Sequence, residues 1–184
     1  MRYFIIFFLL PFSVFAQSTF DIKTLNGAFL HDLNYYRSEC GIGPLVLDTG
    51  LMPFMKEHCE FMANEVGVTH GEYTNYSFKN RWDTFTKTHR EYRNIKYRGE
   101  ILLSVFVPVN GTGDIQDEDG ITKLILDGEC SDSCLSLHML DQWSHSPQHN
   151  YALLNGTFTH MYLYAYRKGH QIFAGVIFID KFGI

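Results

Sequence analysis

The sequence predicts an α+β domain in which helices come first and a small antiparallel sheet follows. Three observations carry this. Apolar residues recur at helical spacing through the first half of the chain. A β-branched and aromatic run, Ile101 to Val109, then reads as a buried strand. Near the C-terminus, two apolar runs flank a short turn that contains Gly169, the pattern of a hairpin.

Each element has its own justification. Leu25, Phe29, Leu33, Tyr36 and Cys40 fall on one helical face, and Gly41 supplies a left-handed stop. Gly43-Pro44 reads as loop. Leu51, Met55, Cys59, Met62 and Val66 repeat the helical pattern, between Asp48 as N-cap and Gly67 as stop. Phe78, Trp82, Phe85, His89 and Tyr92 make a third amphipathic stretch, and the common use of such a stripe is a core face. The strand from Ile101 ends near Pro108, and Asn110 to Gly120 is a polar, glycine-rich loop. A fourth helix spans about Ser133 to Trp143, with Leu135, Met139 and Trp143 on one face. Met161 to Tyr166 and Ile172 to Ile179 form the hairpin, with Tyr162, Tyr164 and Tyr166 on one strand face as core or groove wall. No internal repeat and no low-complexity segment interrupts this order.

The 184 residues suit one domain, large enough to bury a core. Arg2, the apolar run Tyr3 to Phe15 and the small-residue pattern Val14-Phe15-Ala16 read as a signal peptide over residues 1–16. The run is too short for a membrane span. A single domain over 17–184, secreted or periplasmic, is therefore expected. The net charge of −5 and the lack of any basic block exclude nucleic acid as a partner. Four cysteines in an exported chain suggest disulfides. Cys40 with Cys59 would tie the first two helices, and Cys130 with Cys134 would close a small loop. Three pairings remain open by sequence. A cysteine zinc site is the weaker rival, since neither pair has C-x2-C spacing. Asn75, Asn110 and Asn155 open glycosylation sequons, which matter only in a eukaryotic host.

One stretch, QWSHSPQHNYALLN from Gln142 to Asn155, sets two histidines four residues apart. Ser146 is a good N-cap and Pro147 is favoured at the first helical position. His145 then precedes the cap while His149 takes the third helical position, so the two rings share no helix face. An HxxxH metal pair fails on that ground. At a helix N-terminus the dipole disfavours an imidazolium, and a neutral imidazole can ligate a metal or accept a proton. By spacing alone, the commoner role is a buried structural histidine.

His70 in VTHGEY, the R-G-E of YRGEILLS, and WSHSPQH followed by FTHMYLYAY together resemble a CAP domain. That family comprises cysteine-rich secretory proteins, antigen 5 and pathogenesis-related proteins, and the likeness is to its bacterial secreted branch. It runs from Leu25 to Ile179. The resemblance implies an α-β-α sandwich with a central cleft, lined by two histidines and acidic residues that bind a divalent metal in some members. By position, His70 corresponds to the first cleft histidine, Glu100 to the glutamate of a G-E-N motif and His149 to the second histidine. Two departures stand out. The motif here is Gly99-Glu100-Ile101, and His145 follows Trp143 where many members carry a second glutamate. His145 or Glu72 are the candidates to fill that gap.

Two neutral histidines and a carboxylate can hold zinc with an open position and activate water. No HExxH and no nucleophile motif is present. The expected function is thus a secreted CAP module that binds a small apolar ligand, an envelope component or a protein partner without catalysis. The alternative is a hydrolase dependent on a divalent metal such as zinc, built on His70, His149 and Glu100. A second alternative is a purely structural extracytoplasmic domain, whose histidines only satisfy buried polar groups.

Overall fold

The protein is represented by a computed structural model that describes residues 21–71, 75–106, 115–116, 122–123 and 131–181. The expected signal peptide, Cys130 and most of the expected loop from Asn110 lie outside these residues. Asp21 starts the first helix by accepting the Lys23 N–H at its carboxylate. That helix, α1 (Ile22–Glu39), buries Leu25, Phe29 and Leu33 and stops at Gly41, whose φ is +70°. A short strand β1 (Val46–Leu47) follows. Asp48 accepts from Gly50 N and opens a 3-10 turn, Thr49–Leu51, that leads into α2 (Met52–Phe61). Its last turn widens into a π-helical turn, Met62–Val66, before Gly67.

Helix α3 (Phe78–Thr88) starts at Ser77, whose hydroxyl accepts from Asn80 N. The third amphipathic stretch ends earlier than its stripe suggested. His89 leaves helical geometry at φ −107°, ψ 74°, and Tyr92 falls in a separate 3-10 turn. Strand β2 (Arg98–Phe106) begins three residues before Ile101, so Gly99 and Glu100 are strand residues. The short strands β3 (Ile115–Gln116) and β4 (Thr122–Lys123) pair with each other. Helices α4 (Asp132–His145) and α5 (Pro147–Leu153) meet at Ser146, which ends one and starts the other. The hairpin is β5 (His160–Lys168) and β6 (Gln171–Ile179), turned at Gly169 with φ +60°.

The main sheet runs β1-β5-β6-β2. Its three long strands are antiparallel, as expected. The two-residue β1 adds a parallel edge, held by Val46 N donating to Thr159 O and Asp48 N donating to Met161 O. Two cores share this sheet. Strand β6 sends Ile172, Ala174, Val176 and Phe178 to a core with α1, α4 and α5. Its other face sends Phe173, Ile177 and Ile179 to a core with α2 and α3. The result is a helix–sheet–helix sandwich. The alternating tyrosines follow the same rule: Tyr162, Tyr164 and Tyr166 all face the α2–α3 core.

Polar ties lock the layers. Arg37 is 1% exposed and has no carboxylate partner among the described residues; instead it donates to the carbonyls of Gly43, Leu153, Asn155 and Phe158. This fastens α1 to the end of α5 and the approach to β5. Asp48 accepts from Tyr92 Oη at 2.8 Å and pairs with Lys181 Nζ at 2.7 Å, joining the start of the α2 layer to the residues after β6.

One sequence expectation is overturned. Cys40 and Cys59 form no bridge and are free thiols. Cys40 is exposed beyond the last turn of α1, whereas Cys59 is fully buried and donates its thiol to Tyr164 O. Helical spacing put both residues on apolar faces but did not make those faces meet. Among the described residues no helix is long and apolar enough to cross a membrane.

Candidate functional site

Alternation along β2 decides what Glu100 meets. Ile101 and Val105 enter the α1–α4–α5 core and Leu102 enters the other. Glu100 shares the parity of Leu102, so its side chain runs under α2 and α3. It is 2% exposed, and three basic groups converge on its Oε1. His70 Nδ1 lies at 3.0 Å, Arg81 Nη2 at 2.5 Å and His58 Nε2 at 3.8 Å. Burial favours the neutral acid. The hydrogen bond from His70 and the charge and hydrogen bond of Arg81 outweigh it and hold Glu100 below its ordinary value.

An ionised carboxylate only accepts hydrogen bonds, so the His70 proton sits on Nδ1. The Nε2 edge then points away from Glu100, on a side chain 37% exposed. Gly71 fixes this orientation from the next position. Its φ is +70°, and a Cβ there would lie 2.3 Å from Tyr76 O. The chain can leave His70 in this direction only through glycine.

Arg81 is 5% exposed and held in place by rings. Its guanidinium carbon lies 5.0 Å from the centroid of Phe54, 5.5 Å from Tyr76 and 5.6 Å from Phe78. Its Nε and Nη1 atoms, and Glu100 Oε2, are buried without hydrogen-bond partners. His58, on α2, is fully buried and stacks near Phe61. Burial pushes its pKa down to about 4, against the pull of Glu100. The Thr69 backbone approaches the ring, but neither ring nitrogen reaches a hydrogen bond.

His149 takes the third position of α5, with Pro147 at the first, and is half-buried. Burial lowers its pKa, and the charge of His70 lowers it further. His145 goes elsewhere. It ends α4 with its side chain 78% exposed, and its Nδ1 turns back to Asp141 at 2.8 Å. Glu72 lies outside the described residues.

A model of the cysteine-rich secretory protein family, CAP, matches residues 30–179. The chain belongs to that family. Solved CAP structures share the fold of this CAP chain. An extracellular protein of Bacillus anthracis with an SCP domain superposes with a TM-score of 0.59 at 16% identity, covering 86% of this chain and 41% of its own. An outer surface protein of Borrelia burgdorferi gives 0.60 at 17% identity, covering 87% and 95%. A cysteine-rich secretory protein of Staphylococcus aureus gives 0.53 at 12% identity, covering 87% and 39%. The chain thus spans about two-fifths of the Bacillus and Staphylococcus proteins. No curated protein matches it.

Within this CAP domain the expected metal set meets an obstacle. Zinc takes a carboxylate oxygen at about 2.0–2.2 Å, but Oε1 of Glu100 already receives the Arg81 guanidinium and the His70 N–H. Among the described residues no group of three or more His, Cys, Asp or Glu side chains is placed to hold a metal ion. Glu100 stands as the partner that orients His70. The sequence reading missed Arg81 and His58. Each sits on the apolar face of its helix, Arg81 between Phe78 and Phe85 and His58 between Met55 and Met62. A basic residue in an apolar stripe was the available signal.

Proposed function

We propose that this CAP domain is an extracytoplasmic binding module whose cleft, at His70 and His149, takes a small apolar ligand, an envelope component or a protein partner without turnover. One observation carries the reading: the buried acid of the site is committed to Arg81 and His70, and what remains open to solvent is the far edge of the His70 ring, on a side chain 37% exposed. That is a surface for recognition. The exposed Val68 beside His70 adds apolar contact. The extracellular and outer-surface descriptions of the Bacillus and Borrelia proteins agree with the signal-peptide reading on location.

The test is direct. The wild type, His70→Ala and His149→Ala are titrated with cis-parinaric acid as an apolar probe and co-sedimented with purified cell-wall sacculi. The reading expects saturable binding to one of the two, weakened about tenfold or more in both variants, a loss of roughly 1.4 kcal/mol, with melting temperatures preserved. Binding that ignores both substitutions rejects the cleft. A metal-dependent hydrolase on His70, His149 and Glu100 is the second reading, and the contact of His70 with the buried Glu100 carboxylate favours it. It requires stoichiometric zinc in the wild type and turnover lost with either histidine.

A further inference from the structure

We propose that Arg81 is a built-in substitute for a metal ion, holding the cation position at Glu100 and keeping divalent metal out of the cleft. The inference rests on the reading of the site as a metal-free binding cleft and goes one step further, to the residue that makes it so.

The donors for a metal are close together. His70 Nδ1 and His58 Nε2 approach the same Glu100 oxygen at 3.0 and 3.8 Å. Imidazoles and carboxylates are ordinary divalent-metal ligands, although as they stand these three are not placed to hold a metal ion. What differs is the charge already there. A guanidinium is positive at every working pH, and here one N–H lies on Oε1. A divalent ion bound to that oxygen would share it with a fixed cation in a site of low polarity, where repulsion is weakly screened. Arg81 cannot swing aside easily, because Phe54, Tyr76 and Phe78 surround its guanidinium.

Two details indicate that the site would accept a metal once the arginine is gone. Glu100 Oε2 is buried without a partner, so the carboxylate keeps an unused donor. Both ring nitrogens of His58 are likewise unpartnered, although the ring is fully buried. The arginine satisfies the charge of Glu100 but not the donor capacity of the group around it.

The experiment is a calorimetric zinc titration of the protein as exported, beside Arg81→Met and the double variant Arg81→Met/Glu100→Gln. Methionine keeps much of the side-chain length among the rings and removes the charge. The expected result is no saturable zinc site in the wild type, one site per chain in Arg81→Met, and loss of that site in the double variant. Should Arg81→Met fail to fold alone, recovery of native near-ultraviolet circular dichroism on adding zinc supports the proposal. A folded Arg81→Met that takes no zinc overturns it, as does a variant that stays unfolded with zinc. These outcomes leave the metal-free reading intact. A wild type that binds one zinc as tightly as Arg81→Met overturns both the proposal and that reading.

Discussion

Folding removes the imidazole of His58 from solvent entirely, and its pKa falls to about 4 from an ordinary value of 6.5. The sign of the consequence follows. Between those values the unfolded chain binds a proton that the folded chain refuses, so acid favours unfolding and stability rises with pH across that window. Above it the contribution is constant. The slope from one such group reaches about 1.4 kcal/mol per pH unit. In His58→Phe that slope should disappear from urea-unfolding free energies measured between pH 6.5 and 4. His138, His149 and His160 are also lowered by burial, but they remain in both proteins and cancel in the comparison. Glu100, lowered from 4.5, acts in a more acid window, its stabilisation being present above 4.5 and lost as pH falls through its folded value. Coincident slopes for wild type and variant would mean that His58 is not buried in this way. None of this was legible from the sequence, where His58 reads as one polar residue within an apolar stripe. His70, Glu100 and His149 were legible because they sit in short motifs of recognisable order, and the structure brings His70 to Glu100.

At the scale of elements, what came through was whatever a local signal governs. Gly41 ends α1, Ser146 and Pro147 open α5, and Gly169 turns the hairpin, each by a backbone preference that needs no distant partner. What did not come through depends on tertiary pairing. Strand β1 has only two residues and exists because β5 offers it carbonyls. The absence of a Cys40–Cys59 bridge likewise depends on how α1 and α2 are placed across the sheet. The link between α2 and α3 yields a prediction of its own. Gly71 has φ +70°, and any Cβ there would press on the Tyr76 carbonyl. Backbone has little room to move, so Gly71→Ala should cost about 1–3 kcal/mol of unfolding free energy. It should also shift the His70 ring resonances relative to wild type, because His70 would lose its line to Glu100. A Gly71→Ala protein with unchanged stability and unchanged His70 resonances would refute the glycine's role.

For the whole molecule, the two cores give two free cysteines opposite fates. Cys40 is exposed, while Cys59 is buried and its thiol is pushed up strongly by desolvation. Of these two, a thiol reagent added to the native protein should therefore label Cys40 at once. Cys59 should react only after denaturation. A total of two thiols in denaturant would fit pairing of Cys130 with Cys134, and four would exclude it. Rapid native labelling of Cys59 would contradict the α2–sheet packing. That packing rests on β6, the strand shared by both cores. Ile172, Ala174, Val176 and Phe178 point one way, Phe173, Ile177 and Ile179 the other. Even Gly175 has no slack, since a Cβ there would lie 2.5 Å from Met55 Cε and 2.7 Å from Leu102 Cδ2. No position from Ile172 to Ile179 faces outward. Natural drift in this chain is thereby channelled: β6 can exchange one apolar shape for another only if a helix on one side changes with it.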